Sequence, residues 1–410
     1  MQRFRTPLRS ALLGTTLAAA FISFAGAHEF SAAQKRTLAV GGFHATRTQS
    51  AALKGAALPG SKYKVLYNFA GEPDGSGSGA EVTLDSSGNI YGTTDYGGAN
   101  GYGTLFKLAN GKETVVHSFG GSGDGETPDG AVFIESNGNM IGTTTFGGGG
   151  GNGGIWQLAT DGTYSVLHDF TADEGNLARG KLIQDKDGNF YGTCLFGGST
   201  GDGTVYEYSA AGTLTILHTF GGTDGQYPEH GVVMDKKGNL YGVTAFGGTG
   251  DNGSVYEIAK NGTFTSLYSF TGGNDGGFLY GGLAIDKKGN LYGSADDDGT
   301  GNAGTVFKMT SKGALTTIYD FTGGADGGNP EGDMLLLGKT LYSAATTGAA
   351  NGLGGVYSVS LKGKEKVLGE FSDANGNYYS AGVTPSGKIL YGTTEYGGSS
   401  DNGVVFSVKK

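Results

Sequence analysis

Short apolar runs of five to seven residues, each bounded by glycine or by an Asn-Gly pair, return at a fixed interval along the chain. In "GNLYGVTAFGGTGDNGSVYEI", Gly238 to Ile258, a tight turn leads into an apolar strand, a glycine-rich loop and a second strand. The aromatic or Ile position of that first strand falls at Tyr91, Ile141, Tyr191, Tyr241, Tyr292, Tyr342 and Tyr391, at intervals of 50, 50, 50, 51, 50 and 49 residues. Each unit holds four strand signals, which in the second unit are "GAVFIES", "NMIGTTT", "GGIWQLAT" and "YSVLHDF". Seven units of four strands at this period predict a seven-bladed β-propeller, an all-β fold with four antiparallel strands per blade. A parallel β-helix with nonapeptide calcium repeats competes because of "GGTGDNGSV", but such repeats recur every nine residues.

The links alternate in character. The first and second strands join through turns such as "SNGN" and "KKGN", and the third and fourth through "ATDG" and "AKNG", where Gly and Asn or Asp supply positive φ. The other two links are long and glycine-rich. In an antiparallel blade they must share one face, and long loops on a rigid scaffold are where function sits. The ends of the chain fit together as well. "YKVLYNF", Tyr63 to Phe69, is a fourth strand with no unit before it, and the last unit stops after its third strand at "GVVFSVKK". The N-terminal strand is therefore expected to complete the last blade and close the ring.

The repeats "GNIYGTTDYGGANGYGTLFKL" and "ILYGTTEYGGSSDNGVVFSV" resemble the GloVer-type (Gloeo/Verruco) tandem-repeat family of exported bacterial proteins, over all seven units and more weakly in the fifth and sixth. The resemblance implies no shared activity. The family's C-terminal anchors vary, and here the sequence ends directly after its last strand. In architecture the order of strands, with Gly-Gly after the second, is similar to kelch propellers.

Residues 1–27 read as a signal peptide: Arg3, Arg5 and Arg9 precede the apolar "ALLGTTLAAAFISFAGA". No other stretch is apolar enough for a transmembrane segment. Residues 28–61 lack periodicity and read as a disordered linker, leaving 62–410 for the propeller. The protein is thus expected to be secreted, extracellular or periplasmic. Removing three arginines takes the formal charge from -10 to -13, which argues against nucleic acid as a partner. Glycine, 83 of 410 residues, is about threefold above the usual ~7% and fits many tight turns. The single Cys194 excludes a disulfide framework, and its slot is Thr in other units, so it reads as a packed small residue.

Candidate chemistry is sparse. The equivalent His117, His168 and His218 of the fourth strands share a side with Phe119, Phe170 and Phe220, so they are expected to pack between blades rather than share an ion. The Asp-Gly loops, such as "GGTDGQYPEHG", suit either calcium ligands or turns in which Asp accepts from backbone N–H, with the turn favoured by its recurrence. Tyr96, Phe146, Phe196, Phe246 and Tyr396 precede the Gly-Gly pairs and are expected to plug loops onto the blade edge. Departures from the repeat say more. In the fifth unit Asp296, Asp297 and Asp298 form the densest acidic cluster, the candidate site for calcium, the one cofactor suggested, against a solvated loop.

The start of the first strand varies most: Glu81, Asp129, Arg179, Lys181, Glu229, His230, Tyr280, Glu331, Asp333 and Tyr379. If this strand is innermost, these side chains ring the channel mouth on the long-loop face, as a ligand pocket requires. The function expected is a secreted binding or interaction module for an extracellular glycan or a surface protein. A propeller enzyme, polysaccharide lyase or glycosidase, would draw Arg179, His230 and a carboxylate from the same ring. A purely structural surface protein is the third alternative. No G-x-S-x-G, phosphate loop or His-x-x-x-His pattern supports an enzyme independently.

Overall fold

The computed structural model describes residues 62–121, 123–378 and 381–410. The signal peptide and linker assigned to residues 1–61, and Tyr379, lie outside the described residues. Every regular element among them is a strand, and the strands form seven four-stranded antiparallel sheets arranged as a ring of blades. In the first blade the strands are Thr83–Leu84, Ile90–Thr94, Thr104–Ala109 and Lys112–Ser118, in that spatial order.

The seventh blade contains Thr384–Ser386, Ile389–Thr394 and Val404–Lys409, and Tyr63–Asn68 completes it. Tyr63 pairs with Val408 and Asn68 with Val404, so the N-terminal strand closes the ring. In all seven blades the register between third and fourth strands slips by one residue, as between Leu105 and Phe106, a β-bulge that adds twist at the outer edge.

One aromatic pair repeats at every junction between blades. The Phe that ends a fourth strand packs on the aromatic of the next blade's third strand: Phe69 on Phe106 at 5.1 Å between centroids, Phe119 on Trp156 at 5.7 Å, Phe220 on Tyr256 at 5.1 Å. Phe371 on Phe406 at 5.8 Å makes the same contact at the closing blade. The conserved spacing of "YG" in the second strand follows from this packing. A Cβ on Gly92 would lie 2.7 Å from Phe106 Cζ, and one on Gly142 2.4 Å from Trp156 Cζ2, so these strands carry glycine where the ring crosses them; only the sixth blade differs, with Ser343 opposite Tyr357.

Outside the core, polar groups are settled locally. Asp85, Asp185, Asp235 and Asp286 each accept from the backbone N–H of the Asn four residues on, which fixes the "GN" turns. The fourth-strand Tyr and His residues meet the Asp or Glu of the following loop: Tyr67 Oη donates to Asp74 Oδ2 at 2.9 Å, and His218 Nε2 lies 2.9 Å from Asp224 Oδ2. The same carboxylates accept backbone N–H groups, as Asp224 Oδ1 does from Gly221 at 2.8 Å. His117 and His218 stack on Tyr164 and Phe264 of the adjoining blade at 4.1 and 3.6 Å. These histidines are packing residues with polar tips.

Candidate site at the channel mouth

The two long links of each blade lie on one face and pair with each other. Gly75–Ser76 runs antiparallel to Tyr96–Gly97, and the equivalent bridges Glu126 to Phe146, Gln226 to Phe246, Gly277 to Asp297 and Asn377 to Tyr396 recur around the ring. Just before each first strand sits a left-handed residue: Gly77, Thr127, Leu177, Tyr227, Phe278, Asn329 and Tyr378, with φ between 52 and 65°. Only one is glycine, so six side chains are held in a conformation they rarely adopt. The backbone is stapled on both sides. Thr127 N–H donates to Tyr102 O of the preceding blade, and Thr127 O accepts from Thr145 N–H of its own.

These staples deliver the first strand to the axis. Adjoining first strands touch, since a Cβ on Gly180 would lie 2.1 Å from Gly231 N. Hydroxyls at the end of the second strand hold the next blade's first strand, as Thr193 Oγ1 does with His230 O at 3.0 Å and Thr393 Oγ1 with Ala80 O at 2.9 Å across the closure. Along each first strand Val82, Val132, Leu182, Val232, Leu283, Met334 and Val383 are buried in the blades. By alternation their neighbours face the lumen.

Two tiers result. The deeper one, here the floor, contains Glu81, Lys181 and Asp333, with His230 reaching into it. Lys181 Nζ lies 2.9 Å from Glu81 Oε2, and His230 Nδ1 lies 2.8 Å from Asp333 Oδ1. Each pair joins blades two steps apart, a contact possible only across the lumen. Glycine makes the space: a Cβ on Gly282 would lie 2.5 Å from Asp333 Oδ1, and Gly282 N–H donates to that oxygen at 2.6 Å. Thr384 Oγ1 donates to Glu81 Oε1 at 2.8 Å. Glu81 raises the Lys181 ammonium above its ordinary value. Burial opposes charge on His230, but Asp333 overcomes it and holds the imidazolium. Burial likewise opposes ionisation of Asp333, and His230 with Gly282 N–H holds it below the usual carboxylate range. The floor carries two cations against two anions.

The upper tier forms a bowl. Arg179 is its centre, with Nε 2.5 Å from Asp129 Oδ2, and both side chains are largely buried. Burial opposes charge on the guanidinium, but Asp129, Glu229 and Asp95 together hold it firmly charged. Tyr280 stands beside Glu229, Asp296 and Glu331, and Tyr378 beside Glu331 and Glu395. Burial and these carboxylates push both phenols well up. Tyr280 meets Phe246 edge-on at 6.1 Å, and Phe196, Tyr227, Phe246 and Phe278 continue as an aromatic arc over the third to fifth blades. On the seventh blade Tyr378 packs on Tyr396 at 6.0 Å.

The structure therefore brings Asp129, Arg179, Glu229, Tyr280 and Glu331 together in the bowl and Lys181, His230 and Asp333 in the floor. It adds three bowl residues that sequence reasoning did not assign there: Asp95, Asp296 and Glu395. All three directly follow the second strand, where the seven units read Asp, Thr, Leu, Ala, Asp, Thr and Glu. That variability was the available signal. Burial, with Asp129 and Glu395 adding to it against the pull of Arg179, raises the Asp95 carboxyl well above the usual range. Asp95 is 3% exposed, and its Oδ1 has no hydrogen-bond partner among the described residues.

Asp296, Asp297 and Asp298 do not converge. Asp296 Oδ2 and Asp297 Oδ1 both accept from Asn329 Nδ2, at 3.4 and 2.9 Å, while Asp298 takes the left-handed position of its turn, so the three do not form one ligand set. Among the described residues no group of three or more His, Cys, Asp or Glu side chains is arranged to hold a metal ion. No helix among them is long and apolar enough to cross a membrane.

Among solved structures the chain is similar to the extracellular domain of a protein from B. thetaiotaomicron described as a one-component system, at 13% identity and a TM-score of 0.55, over 84% of this chain and 40% of that one. It is similar to PorZ, described as an essential surface component of the type-IX secretion system of Porphyromonas gingivalis, at 14% identity and a TM-score of 0.50, over 83% and 47%. A puromycin hydrolase complexed with PGG matches at 11% identity and a TM-score of 0.51, over 78% and 50%. The chain thus spans half or less of each of these proteins, and the likeness is one of fold. No curated protein matches it. The family model of the Gloeobacter/Verrucomicrobia repeat matches residues 48–237 and 229–410, so that, with seven blades built from that repeat, the chain belongs to the Gloeobacter/Verrucomicrobia repeat family.

Proposed function

We propose that this protein is a secreted binding module that takes an extracellular carbohydrate or cell-surface ligand in the bowl. One observation carries the reading: side chains that depart from the repeat gather around the axis on the long-loop face, with the half-buried Tyr280 and Tyr378 under the influence of several carboxylates. That pairing suits a polyol, whose hydroxyls donate to carboxylates while its C–H faces lie on aromatic rings. The basic and apolar N-terminal residues support secretion. Tyr280→Ala and Tyr378→Ala are the informative variants, because both side chains are half-buried and Arg179→Ala would strip Asp129 of its partner. On a glycan array each should lose most retention with little change in melting temperature. Unchanged retention in both would overturn the reading.

A second reading, a glycosidase, is favoured by Asp95. A carboxylic acid that burial keeps protonated beside the carboxylates Asp129 and Glu395 has the divided character of an acid and base pair. Turnover of an aryl glycoside that disappears in Asp95→Asn would support it, and a panel with no turnover would end it. The bowl's excess of carboxylates opposes a lyase acting on uronates.

A further inference from the structure

We infer that the bowl selects a carbohydrate through a protonated amine, so that its ligand is an amino sugar whose nitrogen is free rather than acetylated. The inference rests on the binding role proposed for the bowl. Six carboxyl groups, those of Asp95, Asp129, Glu229, Asp296, Glu331 and Glu395, act on one another or on the same two tyrosines and Arg179, and five remain to carry negative charge when Asp95 is protonated. Against them stands one guanidinium, and its Nε already serves Asp129. The cations beneath cannot make up the difference, because Lys181 is matched by Glu81 and His230 by Asp333. Counted over both tiers with Asp95 protonated, seven carboxylates face three cations among the described residues.

Asp95 Oδ1 supplies an independent sign. It is buried, it belongs to a carboxyl under the influence of Arg179, Asp129 and Glu395, and no donor among the described residues reaches it. A buried acceptor left without a donor costs free energy that a ligand donor would recover. The ligand donor that answers both the missing hydrogen bond and the missing positive charge is an ammonium, compact and with three N–H groups. The Tyr280 and Tyr378 rings beside the carboxylates add favourable faces for a cation and for the sugar ring that carries it. A neutral sugar would leave the excess charge uncompensated, and a uronate would add to it.

Calorimetric titration of the intact protein with three tetrasaccharides tests this: β-linked glucosamine, its N-acetylated form and the glucose equivalent, at pH 6. The glucosamine tetramer should bind about tenfold or more tightly than the other two, the gain expected from one charge-assisted hydrogen bond. Its advantage should shrink between 50 and 500 mM salt, in line with roughly 3 Å screening near 1 M. Asp95→Asn and Glu331→Gln should each remove about tenfold. Asp95→Asn should melt no lower than the parent, which separates lost binding from lost folding. Equal binding of the acetylated or neutral tetramer overturns the amine inference and leaves the bowl reading standing. Tight glucosamine binding unaffected by both variants also overturns it. Should none of the three bind while another glycan is retained through Tyr280, the inference falls alone; should no saccharide be retained at all, both fall.

Discussion

The floor and the bowl come from the same first strands, two residues apart, yet they handle charge in opposite ways. In the floor every charged group has a counterpart about 3 Å away, and three glycines and Ala131 at the remaining positions give the pairs room. In the bowl the carboxylates outnumber the one cation, and an acid is buried with an oxygen unpartnered. The contrast teaches that ring geometry alone does not produce an acidic recess. The fold could neutralise this lumen, and one register down it does so. Unbalanced charge retained at such proximity costs stability, and a ligand that supplies the missing charge would recover it.

Breaking the bowl's single cation should have the greatest effect. Arg179→Met leaves Asp129 buried without its partner and should lower unfolding free energy by about 3–5 kcal/mol, measured by guanidinium denaturation. In the floor, Asp333→Asn removes one charge but leaves room for a neutral histidine, so the loss should be about 1–3 kcal/mol. The pH dependence sharpens the difference further. Because Asp333 raises His230, the pair's stability is fully present below the ordinary histidine value of about 6.5 and is lost as pH rises through the higher folded value. Because His230 lowers Asp333, the same pair also weakens as pH falls below about 4. Melting temperatures measured from pH 6 to 9 should therefore fall more in the parent than in Asp333→Asn. Asp95 runs the other way. Its raised carboxyl penalises the folded state once the unfolded chain ionises above about 4, so Asp95→Asn should melt higher than the parent at pH 7 and match it near pH 3. This last shift is the smallest expected, and its absence would show that Asp95 finds compensation in the bowl.

Much of the scaffold was legible in the sequence because it is written seven times. Periodicity gives the blade count, the unmatched "YKVLYNF" gives the closure, and the Asn-Gly pairs give the turn face. The first-strand variability pointed at the lumen for the same reason, since a position that breaks a repeat is visible against it. What stayed hidden was depth. Alternation alone does not say that Arg179 and Lys181, two residues apart, would meet different partners in different tiers. Asp95 and Glu395 also sit at a position that breaks the repeat, but a single unit does not reveal that the residue after the second strand reaches the same recess as the start of the first. The row of left-handed residues from Thr127 to Tyr378 was illegible as well. Leu, Tyr and Phe give no local reason for positive φ, which is imposed by bonds to a neighbouring blade that single units cannot reveal. The acidic run Asp296–Asp298 looked like one feature in sequence, but Asp296 and Asp297 share Asn329 while Asp298 turns away at a left-handed position.

The closing strand has a consequence for how the molecule is assembled. Tyr63 finds Val408 across 345 positions of chain, so the first of the described strands must wait for the last before its backbone is satisfied. Throughout that interval it offers an unpaired ladder to any other extended peptide nearby. Lys62 and Lys64 put positive charge at this waiting edge, a feature that discourages mispairing until Val404–Lys409 emerges to take its place.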